Sequence, residues 1–197
     1  MVMQVIVITD ATLKEELLFG MTSELLDVIW IEDILELQQH KNANVIIDLA
    51  FEEDHLSLLR QFRGKLVVIN SVVKTLAELD SSFVRINGWP SFLRSHFVEA
   101  STINENNRKP AEEIFSLFNK KLEWLPDSVG FVTPRVVSMI INEAFISLRE
   151  DVSTREEIDQ AMKLATNYPY GPFEWSDKIG IEKIESLLKR LGHEPVF

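Results

Sequence analysis

The chain has 197 residues, 46% of them hydrophobic, which is enough for one substantial core or for a medium domain plus a small one. It contains no cysteine, so disulfides, thiolate metal sites and a cysteine nucleophile are excluded. The formal net charge of −11 repels phosphate, which argues against nucleic acid and anionic membrane surfaces as partners.

Short apolar runs alternate with helical patterns through the first half of the chain. The runs predict five strands, at residues 5–9, 27–32, 44–48, 65–70 and 83–87. Helical segments are predicted between them, at residues 12–21, 34–39 and 53–62. Continuous apolar strands that alternate with helices are typical of a parallel sheet covered on both faces. This half therefore predicts a doubly wound, Rossmann-like α/β fold.

A polar, turn-rich stretch at residues 104–110 precedes a predicted helix that begins near Pro110 and ends near Lys121. Residues 126–130 carry a proline and a glycine and are interpreted as a hinge. The predicted domains are therefore a shortened Rossmann-like domain at residues 1–127 and a small helical domain at residues 128–197.

Beyond the hinge, apolar residues recur every three or four positions, which predicts a helix: Val136, Val137, Ile140, Ile141, Ala144, Phe145 and Leu148. Ser153, with Glu156 three residues later, predicts the N-terminal cap of the next helix. Gly171 and Pro172 are predicted to terminate a helix. A last short helix is predicted at residues 181–191.

The first residues, 1–8, are apolar but lack the basic segment and the cleavage site of a signal peptide. No apolar run reaches the roughly 20 residues that a membrane-spanning helix needs. A cytoplasmic protein without a membrane anchor is therefore expected. The four histidines are scattered and none stands in a zinc-binding His-x-x-x-His or His-Glu-x-x-His spacing, so no metal site is predicted.

Five sequence pieces follow one another in the second domain: Gly130-Phe-Val-Thr-Pro-Arg135, Asn142-Glu-Ala144, Ile158-Asp-Gln-Ala-Met-Lys163, Tyr168-Pro-Tyr-Gly-Pro-Phe-Glu174 and Asp177-Lys-Ile-Gly180. In this order and spacing they resemble the C-terminal helical domain of the 3-hydroxyacyl-CoA dehydrogenases. The resemblance implies NAD as the cofactor, an acyl-CoA or another small molecule as the ligand, and a homodimer.

The first half resembles the family's dinucleotide-binding domain more loosely, and it is shorter. Asp48 falls where the family has a strand that ends in an acidic residue. Asn70, with the residues up to 79, resembles the family's Asn-Thr-Ser-Ser segment and the helix after it. Glu32, after the second strand, could meet a ribose hydroxyl or be a solvated acid. The resemblance thus implies Glu32, Asp48 and Asn70 as cofactor-binding positions.

The family's hydride transfer needs a histidine base and a carboxylate that orients it. The resemblance places Asn87 at the histidine position and Glu99, twelve residues later, at the carboxylate position. An amide does not titrate near neutral pH, so Asn87 cannot act as the base. His96 is either a replacement base or an ordinary surface or packed histidine.

Three further positions depart from the family pattern. Residues 9–14 read Thr-Asp-Ala-Thr-Leu-Lys where the family has Gly-x-Gly-x-x-Gly, whose glycines let the backbone approach pyrophosphate. Val72 and Pro134 replace a serine and an asparagine that hold the reacting oxygen, and neither side chain can hydrogen-bond. Glu99 and Arg135 are kept. Together these changes predict a fold that is retained and a dehydrogenase site that has decayed.

Three hypotheses follow. The first is a dimeric, non-catalytic protein that binds a small ligand or a protein partner. The second is an active NAD-dependent 3-hydroxyacyl-CoA dehydrogenase of fatty-acid metabolism with a rearranged site. The third is an interaction protein with no small ligand. Loose basic groups either meet the phosphates of CoA or are ordinary surface residues: Arg60, Arg63, Lys65, Arg108 and Lys109.

Overall fold

A computed structural model of the chain describes residues 4–21 and 28–197. Contacts divide the chain into two compact units, Met1–Ser128 and Val129–Phe197. The boundary between these units lies one residue after the boundary predicted from the sequence. Asp27, the first residue of the second predicted strand, lies outside the described residues.

The first unit contains a seven-stranded sheet with the order β2-β1-β3-β4-β5-β6-β7. The strands β1 to β5 are parallel, β6 is antiparallel to β5, and β7 is parallel to β6. The strands are β1 (Val5–Ile8), β2 (Val28–Ile31), β3 (Val45–Asp48), β4 (Leu66–Asn70), β5 (Val84–Ile86), β6 (Phe97–Thr102) and β7 (Lys121–Trp124).

Helical segments cover both faces of this sheet, which explains why β1 is apolar throughout and why β3 and β4 are apolar up to their last residues, Asp48 and Asn70. Val5 and Val7 belong to the core that contains the buried residues of α1 and α3. Ile6 and Ile8 belong to the core on the opposite face. The segments are α1 (Ala11–Leu18), 3-10 turns at Ile34–Gln39 and Glu53–His55, α2 (Leu56–Leu59), 3-10 turns at Arg60–Phe62 and Glu105–Asn107, and α3 (Arg108–Leu117).

The doubly wound α/β fold is confirmed, but the sequence reading missed two strands. The strand β6 was not predicted because Glu99 and Ser101 interrupt its apolar pattern. The helix predicted up to Lys121 ends at Leu117, since Asn119 has a positive φ of 57° and Lys121 already belongs to β7. The antiparallel direction of β6 also makes the sheet mixed rather than wholly parallel.

The helix expected after Asn70 is absent, and residues 71–80 form turns instead. The amide N–H groups of Leu76 and Ala77 donate to the carboxylate of Asp127, at 3.1 and 3.2 Å. These donors are therefore satisfied by a side chain that is distant in sequence, without helical backbone bonds.

The second unit is all-helical and consists of α4 (Thr133–Arg149), α5 (Arg155–Thr166), α6 (Pro172–Ile179) and α7 (Ile181–Arg190). The predicted cap of α5 was wrong by one residue, since Thr154 and Glu157 form the capping box. Gly171 and Pro172 do not end a helix. They begin α6, where a proline in the first turn needs no backbone N–H. Among the described residues, no helix is long and apolar enough to cross a membrane.

Candidate functional site at the carboxyl edge of the sheet

The parallel strands β1 to β5 end along one edge of the sheet, and the antiparallel β6 begins there. The strand β1 lies between β2 and β3, so the chain adds β2 on one side of β1 and then crosses back to add β3 on the other side. Open α/β sheets bind their ligands at such a reversal, outside the carboxyl ends of the strands. The structure places all the predicted site residues along this edge, which we call the carboxyl edge: Glu32, Asp48, Asn70, Asn87 and Glu99.

The structure brings Asn87 and Glu99 into direct contact. The backbone N–H of Asn87 donates to the Glu99 carbonyl at 2.9 Å, because β5 and β6 are antiparallel neighbours. The side-chain Nδ2 of Asn87 donates to Glu99 Oε2 at 3.0 Å. Asn87 is buried. The two side chains are thus placed in the way that a catalytic base and its orienting carboxylate would be placed. The group at the base position, however, is an amide that cannot accept a proton near neutral pH.

Asn70 fastens three strand ends to one another. Its Nδ2 donates to the carbonyl of Leu49 at 2.9 Å and to that of Gly88 at 3.0 Å, and its Oδ1 accepts from the Gly88 N–H at 2.9 Å. A side chain at Gly88 would meet the Asn70 side chain, since a Cβ there would lie 2.7 Å from its Cγ. The amide of Asn70 is therefore engaged with backbone, and a cofactor role for it stays a prediction.

We expect Asn70→Ala to lower the free energy of unfolding by about 2–4 kcal/mol, since three hydrogen bonds of about 1 kcal/mol each are lost in a partly buried place. Urea unfolding followed by tryptophan fluorescence measures this loss. Asn106→Ala, in an exposed turn, is the matched control and is expected to stay within about 0.5 kcal/mol of the parent. Equal effects of the two substitutions would contradict the bridging role.

Asp48 ends β3 and is completely buried. The imidazole Nδ1 of His55, seven residues later, lies 2.7 Å from its Oδ2. Burial raises the pKa of Asp48, although His55 and the amide of Ala50 oppose this. The hydrogen bond to Asp48 raises the pKa of His55, against the opposing effect of burial. Sequence reasoning treated His55 as one of four scattered histidines, since spacing alone does not reveal this contact.

The turn between β1 and α1 does not fit the pyrophosphate of a dinucleotide. Asp10 caps α1, and its Oδ1 accepts from the Leu13 N–H at 2.8 Å. An exposed carboxylate therefore occupies the helix N-terminus, where an anion would otherwise be bound by backbone amides. Thr9, Ala11 and Lys14 also carry side chains at the three positions where the family has glycine and the backbone can approach the pyrophosphate.

Two other sequence-predicted residues lie apart from the Asn87–Glu99 pair. Glu32 is exposed at the end of β2, four strands from β5, which corresponds to about 19 Å at the usual strand spacing. His96 is exposed, and its Nδ1 lies 2.7 Å from the carbonyl of Asn119. His96 is thus engaged with backbone. Within the described parts of the chain, no three His, Asp or Glu side chains converge as metal ligands would.

The basic groups suggested for CoA phosphates are mostly paired with carboxylates. Arg60 and Arg63 both donate to the buried Asp80. Burial alone would raise the pKa of Asp80, but hydrogen bonds from Ser82 and the two arginines lower it. Arg108 pairs with Glu105 at 2.8 Å, and Lys109 lies 3.9 Å from Glu113. These contacts favour the surface interpretation of the basic groups.

A cavity of about 440 Å³ lies where α3 turns into β7, and it is lined by His96, Glu112, Ser116, Asn119, Lys120, Lys121 and Leu122. Lys120 is buried, and its Nζ donates to the carbonyls of Phe19, Arg94 and Ser95. Burial lowers the pKa of this lysine. Because three carbonyls accept from the ammonium group, Lys120 ties the ends of α1 and α3 to the loop before β6.

In the second unit, the recognisable sequence pieces build the junction of α5 and α6. The carboxylate of Asp159 accepts from the N–H groups of Phe173 at 2.8 Å and Glu174 at 3.2 Å. Gly171 is required because a Cβ there would lie 2.3 Å from the Asp159 carboxyl group. Lys163 binds Glu174 at 2.6 Å. The spacing of these pieces therefore reflects helix packing, and sequence reasoning had missed the capping role of Asp159.

The oxygen-holding positions of the family offer no donor here. Val72 is buried, and Pro134 is buried in the first turn of α4. Arg135 is exposed, and its Nε donates to the Val129 carbonyl at 2.6 Å within the same unit. This contact gives Arg135 a structural role at the start of α4.

Comparison with known proteins separates the two parts of the chain. Residues 130–195 match the family profile described as 3-hydroxyacyl-CoA dehydrogenase, C-terminal domain. A 3-hydroxyadipyl-CoA dehydrogenase of Escherichia coli is 44% identical over 74 residues, 38% of this chain and 16% of that protein. A 3-hydroxybutyryl-CoA dehydrogenase of Clostridioides difficile is 37% identical over 82 residues, 42% of this chain and 29% of that protein. The matched segments span less than a third of the length of either relative.

The fold extends the likeness to the rest of the chain. The crystal structure of an (S)-3-hydroxybutyryl-CoA dehydrogenase from Ralstonia eutropha aligns with 97% of this chain and 87% of its own, with a TM-score of 0.70 and 18% identity. At that identity the likeness concerns the fold alone. Residues 130–195 are therefore similar to the C-terminal domain of the 3-hydroxyacyl-CoA dehydrogenases, and the chain is a 3-hydroxyacyl-CoA dehydrogenase-like protein in that domain and in its fold.

Proposed function

We propose that this chain has lost, or kept only in severely impaired form, the NAD-dependent oxidation of 3-hydroxyacyl-CoA, and serves as a dimeric binding or scaffold protein. The observation that carries the proposal is the contact between Asn87 and Glu99. The orienting carboxylate is present, and its partner donates through an amide instead of accepting a proton through an imidazole.

The turn after β1 supports the same proposal independently. A dinucleotide places its pyrophosphate against backbone amides at a helix N-terminus. In this chain the carboxylate of Asp10 accepts from the Leu13 amide and adds a negative charge at that place. The predicted NAD contacts of Glu32, Asp48 and Asn70 would have to form without the phosphate cradle. Weak or absent NAD binding is the consequence that we infer.

The ligand that we propose is an acyl-CoA or another small molecule, since the relatives are named for acyl-CoA substrates. The homodimer is supported by exposed apolar side chains on and next to α4. Val132, Val136 and Met139 are 55, 48 and 39% exposed. They recur at three- and four-residue spacing, so they lie on one side of the helix. Sedimentation equilibrium is the measurement for the oligomeric state.

An active NAD-dependent dehydrogenase of fatty-acid metabolism with a rearranged site is the alternative. The observation that favours it is the retention of Glu99 beside the end of β5. It requires a base other than Asn87. His96, the base suggested by sequence proximity, is engaged with the Asn119 carbonyl.

Calorimetric titration with acetoacetyl-CoA tests the proposed ligand class. We expect saturable heat with acetoacetyl-CoA in the absence of any dinucleotide, and no enhancement when NADH is added. Enhancement by NADH would favour the active alternative, because a dehydrogenase binds both in one site. Silence with acetoacetyl-CoA would exclude the acyl-CoA ligand and favour a scaffold that binds protein. CoA alone is the control that separates recognition of the acyl group from recognition of the nucleotide.

A further inference from the structure

The Asp48–His55 pair is an ionisable contact that the proposed function does not use. Asp48 is buried at the carboxyl end of β3, and its Oδ1 has no hydrogen-bond partner among residues 4–21 and 28–197. Its Oδ2 is 2.7 Å from His55 Nδ1, and the His55 side chain is 14% exposed. A buried carboxylate with one unpartnered oxygen is costly to keep charged unless a cation or a proton compensates it.

The segment between the two residues is anchored at one end. Leu49 donates its N–H to the Ile8 carbonyl at 2.9 Å and accepts from Asn70 at 2.9 Å. Beyond it, residues 50–55 lead from the sheet to the helical turns on one of its faces, with Phe51 packed edge-on against the His55 ring. The contact between Asp48 and His55 closes this segment, which we call the latch segment, into a loop against the end of β3.

We propose that Asp48 and His55 form a pH-sensitive latch. While the pair keeps a proton, the latch holds the latch segment on the end of β3. When that proton is lost, the latch segment is released. With the proton present, the pair is an ion pair or a neutral hydrogen-bonded pair. Without it, Asp48 is a buried anion beside a neutral imidazole. Opening of residues 50–55 would then let water reach the carboxylate.

The charges around the pair act in the same direction. Asp54 Oδ1 lies 3.9 Å from His55 Nε2, and the carboxylate of Glu52 also favours the protonated imidazole. Glu53 is paired with Lys74, from the loop after β4, at 2.6 Å. The surroundings therefore add negative charge around His55, which favours the protonated imidazole. Lys74 does not offset this charge, because it is already paired with Glu53.

The sign of the pH effect follows from both partners. The pKa of His55 is raised above 6.5, so its stabilisation is present below pH 6.5 and is lost as the pH rises through the folded value. The pKa of Asp48 is raised too, and this also makes the folded state lose stability as the pH rises. The two groups titrate as a coupled pair. The latch is thus closed below the folded midpoint of the pair and opens as the pH rises through that midpoint.

NMR titration of the histidine imidazoles in the whole protein tests the latch. We expect the midpoint of His55 to lie above 6.5 and to fall in Asp48→Asn, which keeps the shape of the side chain and removes its charge. Asp54→Asn is the matched control, because its carboxylate is exposed and more distant, and a smaller fall is expected. A His55 midpoint that Asp48→Asn leaves unchanged would overturn the proposal.

Hydrogen exchange of the latch segment provides the second readout. After correction for intrinsic exchange, protection of the backbone amides of residues 50–55 should fall about tenfold for each pH unit above the His55 midpoint. Asp48→Asn should abolish this pH dependence, whereas Asp54→Asn should retain it. Protection that stays constant through the midpoint in the parent protein would reject the latch, even if Asp48→Asn did not fold.

Discussion

Asp127→Ala is expected to lower the free energy of unfolding of the first unit by about 3–5 kcal/mol, since it strands a buried positive charge. Arg85 is completely buried in β5, and its Nε donates to Asp127 Oδ1 at 2.6 Å. The guanidinium group also donates to the carbonyls of Ser71 and Ser128. Burial lowers the pKa of this guanidinium, and Asp127 opposes that effect more strongly than Glu78 does, so removing Asp127 removes most of the compensating negative charge.

Urea unfolding measures this loss, and Trp30, Trp89 and Trp124 report on the first unit. Asp127→Asn retains an acceptor without the charge and should fall between the parent and Asp127→Ala. Arg85→Met combined with Asp127→Ala should recover part of the loss, because no unpaired charge remains. Glu15→Ala, on the exposed side of α1, should stay within about 0.5 kcal/mol. A loss as small as that of Glu15→Ala would contradict the buried ion pair.

The rate of acetoacetyl-CoA reduction by NADH is expected to be at least 10²–10⁴-fold below that of a dehydrogenase with a positioned histidine, from the missing base alone. The resemblance assigns Val72 and Pro134 to positions where the family holds the reacting oxygen, and since neither side chain can donate a hydrogen bond, a greater loss is expected. The assay follows NADH consumption by the purified protein at saturating acetoacetyl-CoA.

Two variants show whether any residual rate of NADH consumption depends on the pair Asn87 and Glu99. Glu99→Gln should leave a background rate unchanged, because the group that donates to Glu99 at the base position is an amide. Asn87→His replaces the amide beside that carboxylate, but we expect no recovery while Asp10 still caps α1. A robust rate that Glu99→Gln reduces would contradict the loss of chemistry, and recovery by Asn87→His would contradict the loss of the dinucleotide site.

The parallel core of the sheet could be predicted because its signal is local. Strands β1, β3 and β4 are runs of valine, isoleucine and leucine, buried on both faces, which in β3 and β4 end in Asp48 and Asn70. In β6 the signal is weaker, since Val98 and Ala100 face the core while Glu99 is half-buried between them. The alternation was present but was interrupted by polar residues, and β7 is equally mixed. Its four residues read Lys-Leu-Glu-Trp.

The candidate site could be predicted only where residues are tied to strand ends. Asn87 and Glu99 were paired from their twelve-residue separation and the resemblance, and the structure brings them into contact. The bond from Asp127 to Arg85, 42 residues earlier, leaves no periodic signal. His55 meets Asp48 only because the chain loops back after β3. Contacts of this kind depend on the fold, so no spacing rule reveals them.

Titration of the purified protein with NADH, followed by energy transfer from tryptophan to the dinucleotide, tests most directly whether this fold has lost the dehydrogenase site. We predict no saturable signal, because the turn after β1 has no glycine and Asp10 places a carboxylate at the start of α1. Saturable NADH binding that NAD displaces competitively would contradict this prediction and would make an active, rearranged dehydrogenase the better description of the protein.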